Sequence, residues 1–133
     1  MADIFVEHGE PHFRALETAA VARAMAEHEG VLALGGGAVT AQATRELLVG
    51  YARTGGTVAW LDVDLRSAAR RVGLSRDRPL LAVNPRAMLR TMLEQRAPLY
   101  AEVATCTVAT SDREPDDVVA EVLAVLPGRT AAP

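Results

Sequence analysis

An α/β fold built on a parallel sheet is predicted by three features: helical and strand patterns alternate, the first strand pattern is apolar throughout, and three glycines follow where it ends. The first such run is VLAL at residues 31–34, whose lack of polar alternation is typical of a strand buried on both faces. It leads directly into Gly35, Gly36 and Gly37. Further strands are predicted over residues 57–63 and 105–110. Ligands bind open α/β sheets at the edge where the strands end, so the glycines mark a candidate site.

The helices between these strands begin at recognisable N-terminal signals. Pro11 fits the first turn of a helix that ends near His28, and Pro115 fits the first turn of the last helix. Further helices are predicted over residues 41–51 and 65–72, and from Asn84 to Arg96 with a kink or restart at residues 97–100. The apolar positions predict a buried face for the first helix (Phe13, Leu16, Ala20, Ala24) and an apolar stripe for the last (Val118, Val119, Val122, Leu123, Leu126).

Length and composition predict one aliphatic domain over residues 1–133, with residues 127–133 as a frayed tail. The chain is 50% apolar but only 4% aromatic, and its formal charge of -3 favours neither a nucleic-acid partner nor a membrane surface. The N-terminus has no cationic region followed by an apolar one, which predicts a cytoplasmic protein. Cys106 is the only cysteine, so an internal disulfide is excluded, and its apolar surroundings predict a buried thiol.

The basic residues carry the strongest functional signal, because all 14 of them are arginine. A guanidinium group binds carboxylate and phosphate in bidentate geometry, so arginines gathered at the glycine edge suit a carboxylate substrate and a polyphosphate donor. The candidates for this convergence are Arg14, Arg71, Arg78, Arg96 and Arg113. The alternative is that each is an ordinary surface residue. Arg14 lies three residues before Glu17, which fits either a solvated salt bridge or an anion-binding arginine that Glu17 holds in place.

Two polar features lie at and after the end of the second predicted strand. Asp62 and Asp64 form an acidic pair that fits either a magnesium site or, for Asp64, an N-cap, and we favour the cap. Residues 73–79, of sequence GLSRDRP, are polar and charged, and they are more typical of a mobile lid than of a packed turn.

An ordered set of short motifs spanning essentially the whole chain resembles shikimate kinase. The motifs are Asp3-Ile4-Phe5, Phe13-Arg14-x-x-Glu17, the apolar run into Gly35-Gly36-Gly37-Ala38-Val39, Arg78-Pro79-Leu80-Leu81, and Arg96-Ala97-Pro98-Leu99-Tyr100. The resemblance implies a P-loop kinase-like three-layer domain that phosphorylates the 3-hydroxyl of shikimate with ATP and magnesium, in aromatic amino acid biosynthesis. A monomer is expected.

The same resemblance implies roles for individual residues. Arg14 and Arg96 would bind the shikimate carboxylate, while Gly35, Gly36 and Gly37 close on the ring hydroxyls. Arg78 would reach the ATP phosphates, with Arg71 and Arg113 near the nucleotide. The pocket would be lined by Phe5, Phe13, Pro79 and Leu80.

One part of the family pattern is not found in these 133 residues. The G-x-x-x-x-G-K-[ST] loop is absent, and so are the lysine, the magnesium-ligating hydroxyl and the proton-accepting aspartate that go with it. We therefore expect an incomplete family member that lacks the first two strands and the P-loop, has no identifiable catalytic residue or magnesium ligand, and is inactive alone. Its incomplete sheet could also promote self-association. The alternative is a non-catalytic remnant that binds a carboxylate ligand or a partner chain.

Overall fold

The computed structural model describes residues 9–72 and 85–126, and it confirms the predicted α/β fold. The helices are α1 (Glu10–Glu27), α2 (Gln42–Arg53), α3 (Leu65–Val72), α4 (Pro85–Val103) and α5 (Pro115–Val125). The strands are β1 (Ala59–Asp62) and β2 (Cys106–Ala109), and a 3-10 turn covers Ala38–Thr40. The predictions for residues 1–8, the lid at 73–79, the Asn84 cap and the tail at 127–133 lie outside the described residues.

The two strands pair in parallel, with Ala59 opposite Cys106 and Asp62 opposite Ala109. The carbonyl of Val58 accepts from the amide of Cys106 at 3.3 Å, and that of Asp62 accepts from Thr110 at 2.9 Å. Because alternate residues of a parallel strand bond to the same neighbour, Ala59 and Leu61 direct their backbone groups to the opposite edge. Within residues 9–72 and 85–126, no strand pairs with that edge.

The prediction that residues 31–34 form a buried strand is wrong for the described part of the chain. The segment has no strand pairing, and Val31 is 91% exposed. β1 is also less buried than expected, since Leu61 is 54% exposed. Both differences have the same physical reason. An apolar stretch becomes a buried strand only where neighbours cover its edges and faces, and among the described residues β2 covers only one edge of β1.

The core that positions the glycines is small and aliphatic. Its buried centre is Val39, Leu48 and Val103, against which partly buried residues such as Leu34 and Val58 pack. This cluster joins the segment after the glycines to α2, α4 and the start of β1. A second cluster holds α3 against α4 through Ala68 and Leu89. The glycine segment is therefore flanked by core residues on both sides, Leu34 before it and Val39 after it.

Several burial predictions need correction. The buried residues of α1 are Phe13 and Val21, whereas Leu16 is 46% exposed. On α5 only Val118 is buried, with Val119 and Leu123 exposed. Both helices bury a narrow stripe because few described elements pack on them.

Two further predictions, on a thiol and on a helix break, also differ from the structure. Cys106 is half-buried rather than buried, since it opens a strand of a two-stranded sheet. α4 runs unbroken through Pro98, although a proline cannot donate the helical bond to the carbonyl four residues earlier.

Asp64 is the N-cap of α3, as the sequence analysis favoured over a magnesium ligand. The amide of Ser67 donates to Oδ1 of Asp64 at 2.7 Å, and the amide of Asp64 donates to Oγ of Ser111 at 2.9 Å. The backbone hydrogen bond from Ser67 is the main reason that the pKa of Asp64 lies below its usual value of 3.8. The carboxylate therefore anchors the start of α3.

This cap predicts a specific dependence of stability on pH. A folded pKa below the unfolded one means that the charged carboxylate stabilises the fold above the unfolded pKa, and that this contribution is lost as pH falls through the folded pKa. Asp64→Asn keeps a capping oxygen but cannot titrate. We expect its melting temperature to fall less than that of the unaltered chain between about pH 5 and pH 2. Asp116→Asn, an exposed aspartate in the first turn of α5, is the control. If the melting temperatures of the Asp64 variant and the unaltered chain fell equally with pH, Asp64 would not be the stabilising cap.

Candidate anion-binding site at the glycine turn

The three glycines form a tight turn of ordinary conformation. The amide of Ala38 donates to the carbonyl of Gly35 at 3.0 Å, and Oγ1 of Thr40 donates to that of Gly37 at 2.7 Å. Gly37 has φ -91° and ψ -2°, values that any residue adopts in a type I turn. The backbone of Gly37 therefore does not demand glycine, and another reason must be sought in its surroundings.

That reason is the close approach of side chains to each glycine. A β-carbon on Gly35 would lie 3.0 Å from Oε2 of Glu17, and one on Gly37 would overlap the guanidinium group of Arg14. A β-carbon on Gly36 would lie 3.4 Å from the hydroxyl of Tyr100 and 3.6 Å from Nη1 of Arg96. The absence of side chains on the turn thus allows two guanidinium groups, one from α1 and one from α4, to approach its backbone.

Arg14 is held by its neighbours on α1. Its Nη1 lies 2.7 Å from Oε1 of Glu17, and the two side chains are only 20% and 13% exposed. Its Cζ also lies 5.2 Å from the ring centroid of Phe13, within cation–π distance. This geometry excludes a solvated surface pair and agrees with the alternative in which Glu17 holds the arginine in place.

Arg96 is half-buried on α4, and its charge is not balanced in the described part of the chain. Among residues 9–72 and 85–126, no carboxylate lies within 4.0 Å of its guanidinium nitrogens, whereas Arg14 has Glu17. A buried or partly buried cation costs free energy unless an anion compensates it. The pair of arginines at the glycine turn is therefore suited to receive an anionic ligand.

Arg71 and Arg113 lie elsewhere, at the end of β2. Arg71 donates to the carbonyl of Thr110 at 2.8 Å, and Arg113 donates to the carbonyl of Ala109 at 2.8 Å. Nη1 of Arg113 also lies 2.8 Å from Oε1 of Glu121. No described contact joins these two arginines to the glycine turn, and Arg78 lies outside the described residues. The four candidate arginines that the structure describes thus form two groups, one at the glycine turn and one at the end of β2, rather than the single convergence that the sequence suggested.

The described residues include no cluster of metal-binding side chains. Within residues 9–72 and 85–126, no group of three or more histidine, cysteine, aspartate or glutamate side chains could hold a metal ion. Asp64 serves as a helix cap, and the guanidinium groups of Arg71 and Arg113 already contact backbone carbonyls. The same part of the chain has no helix long and apolar enough to cross a bilayer.

Two residues at this site were given no role by the sequence analysis. Tyr100 contacts Gly36, and its spacing of four residues from Arg96 on α4 was the available signal, because such residues share a helix face. Arg45 donates to the carbonyl of Val39 at 2.7 Å, and its Nε lies 2.9 Å from Oε2 of Glu102. Arg45 thereby ties the 3-10 turn to α4. Its role depends on long-range packing that no local pattern indicates.

The close approach of the Arg14 guanidinium group to Gly37 allows a direct test of the anion-binding site. Gly37→Ala leaves the backbone unstrained but displaces the guanidinium group of Arg14, so we expect anion binding at the turn to weaken at least tenfold with the fold retained. Gly50→Ala is the matched control, because nothing lies within 4 Å of a β-carbon there and alanine is favoured over glycine inside a helix by about 0.5 to 1 kcal/mol. Equal affinities of the two variants, measured by titration calorimetry, would show that the approach is incidental.

Solved structures with the same architecture define the class of protein. A shikimate kinase from Acinetobacter baumannii, described in complex with shikimate, superposes with a TM-score of 0.83 at 36% identity, covering 92% of this chain and 66% of that one. A shikimate kinase from Bacteroides thetaiotaomicron superposes with a TM-score of 0.70 at 26% identity, covering 90% and 69%. The fold is therefore of the P-loop kinase-like α/β class.

Sequence relatives narrow this class to a family. The profile of the family described as shikimate kinase matches residues 1–127. A shikimate kinase from Salinispora tropica is 58% identical over 127 residues, covering 96% of this chain and 73% of the relative. One from Frankia casuarinae is 52% identical over 126 residues, covering 95% and 54%. The chain belongs to the shikimate kinase family, which confirms the resemblance seen in its motifs.

Proposed function

We propose that this chain supplies the substrate-binding part of a shikimate kinase, which transfers the γ-phosphoryl group of ATP to the 3-hydroxyl of shikimate. The observation that carries the proposal is the pair of guanidinium groups at the glycine turn. Arg14 and Arg96 would bind the carboxylate, Gly35–Gly37 would contact the ring hydroxyls, and Phe13 would line the pocket. Support comes from the family, and from the shikimate named in the complex of the Acinetobacter baumannii relative.

The remaining predicted roles belong to the same proposal. Phe5, Pro79 and Leu80 would complete the substrate pocket, and Arg78 would contact the ATP phosphates, all from segments outside the described residues. Arg71 and Arg113 would border the nucleotide by releasing or sharing their present carbonyl contacts. The active protein would use ATP with magnesium and act in the cytoplasm.

We further propose that the 133-residue chain by itself binds shikimate without phosphorylating it. The support is chemical: the sequence contains no lysine and no phosphate-cradling P-loop. A second candidate function is a non-catalytic protein that binds a carboxylate or a partner chain. It is favoured by the open edge of β1, where Leu61 is 54% exposed and could be covered by self-association or by a partner strand.

Titration calorimetry with shikimate tests the proposed function. We expect saturable binding of shikimate, and none of myo-inositol, a ring polyol without a carboxylate. Binding of acetate and shikimate with equal affinity would favour the second candidate, a site for carboxylates in general. Absence of shikimate binding to a folded chain would refute the substrate assignment.

A further inference from the structure

Tyr100 connects the glycine turn to the sheet, although nothing in the substrate assignment uses it. Its hydroxyl donates to the carbonyl of Gly36 at 2.5 Å. Its ring centroid lies 5.5 Å from that of Trp60 on β1, with the two planes tilted by 39°, a favourable aromatic arrangement. Tyr100 therefore bridges two elements that are otherwise distant in the sequence.

The hydrogen bond from Tyr100 restrains the amide of Gly37 as well as the carbonyl of Gly36. The described peptides are all trans, so the amide of Gly37 points away from the carbonyl of Gly36 within the same peptide plane. Among residues 9–72 and 85–126, no acceptor pairs with that amide. When Tyr100 holds the carbonyl of Gly36, it also sets the direction in which the amide of Gly37 points.

A restraint of this kind matters more on glycine than on other residues. Consecutive glycines have the largest backbone freedom of any sequence, and ordering them on ligand binding costs conformational entropy. A turn that is already ordered before the ligand arrives avoids that cost. Arg96 and Tyr100, one helical turn apart on α4, thus place a cation and an ordering hydroxyl on the same glycine.

We propose that Tyr100 is a positioning residue for substrate binding, whose hydroxyl holds the glycine turn ordered and whose ring joins that turn to Trp60. The ligand part of this inference rests on the proposed function. The ordering of the turn does not, because it concerns the chain without ligand. Trp60 is the only tryptophan of the chain, so its fluorescence should report on the site.

Tyr100→Phe isolates the hydroxyl, because it keeps the ring beside Trp60. Tyr51→Phe is the matched control, since Tyr51 is the only other tyrosine and lies on α2, 45% exposed. The first measurement is amide hydrogen exchange at Ala38, whose amide closes the glycine turn. We expect exchange in the ligand-free Tyr100 variant to be roughly 3- to 10-fold faster, with an unchanged melting temperature, and no change in the Tyr51 variant.

The second measurement is shikimate affinity, followed by Trp60 fluorescence. We expect the Tyr100 variant to bind roughly 3- to 10-fold more weakly, with the emission of the free chain unaltered. Unchanged exchange at Ala38 would overturn the ordering role, and faster exchange with unchanged affinity would overturn the positioning role. If the unaltered chain does not bind shikimate, the proposed function and the positioning role fail together, while the exchange rate at Ala38 still decides whether Tyr100 orders the turn.

Discussion

Arg96→Ala is expected to weaken shikimate binding by about 2 to 4 kcal/mol, or roughly 30- to 900-fold, because it would remove the charge-assisted, bidentate contact to the carboxylate that we propose for Arg96. Arg96 has no carboxylate partner among the described residues, so its loss leaves no protein charge unpaired there. The melting temperature of the variant should therefore stay the same or rise. Arg96→Lys should also bind poorly, since a compact ammonium group cannot reproduce the planar fork.

Arg14→Ala is expected to differ in its effect on stability. It should weaken binding to a similar extent, but it also leaves the carboxylate of Glu17, 13% exposed, without its partner. A partly buried charge without a partner destabilises the fold, so this variant should melt at a lower temperature. The Arg14 and Arg96 variants should thus differ in melting temperature, although both weaken shikimate binding to a similar extent.

The control for both variants is Arg90→Ala, an exposed arginine on α4. Calorimetry with shikimate should show weaker binding for the Arg14 and Arg96 variants, and no change for the Arg90 variant. Equal losses of shikimate affinity in the Arg96 and Arg90 variants would contradict the carboxylate assignment. So would a fall in melting temperature large enough to account for the weaker binding.

The helices and the cap were predictable from sequence because their signals are local. Pro115 at the start of α5 and Asp64 before α3 act through bonds to residues a few positions away, which the sequence displays directly. The pairing of Arg14 with Glu17 is of the same kind. The glycine turn was located correctly as well, because three consecutive glycines after an apolar run are unusual.

The burial of the strands was not predictable, because it depends on neighbours that an apolar pattern cannot identify. The run at residues 31–34 has the composition of a buried strand, yet Val31 is exposed where no described strand pairs with it. The contacts of Arg71 and Arg113 were not predictable for the same reason. Arg71 and Arg113 reach carbonyls at the end of β2 that lie near them only in the folded chain. Tyr100 was visible in a motif, but its partner is 64 residues away.

The second large effect concerns catalysis: the 133-residue chain is expected to show no measurable shikimate-dependent formation of ADP from ATP and magnesium. Phosphoryl transfer depends almost entirely on positioning and electrostatic stabilisation, which in P-loop enzymes come from the loop amides, its lysine and a bound magnesium ion. Deleting even one transition-state donor typically costs about 2.7 to 4 kcal/mol. This chain has no lysine at all, and its described residues contain no group of three or more metal-binding side chains.

The full-length Salinispora tropica relative, 58% identical over the shared 127 residues, is the appropriate positive control in the same coupled assay. Shikimate binding should be measured in parallel, so that absence of turnover is scored only for a folded chain that retains its ligand. Turnover by the 133-residue chain within about tenfold of that relative, a difference of only about 1.4 kcal/mol, would contradict the prediction. Arg71 would then be the first residue to replace, because Arg71→Ala would test whether its guanidinium group leaves the carbonyl of Thr110 to take the place of the absent lysine.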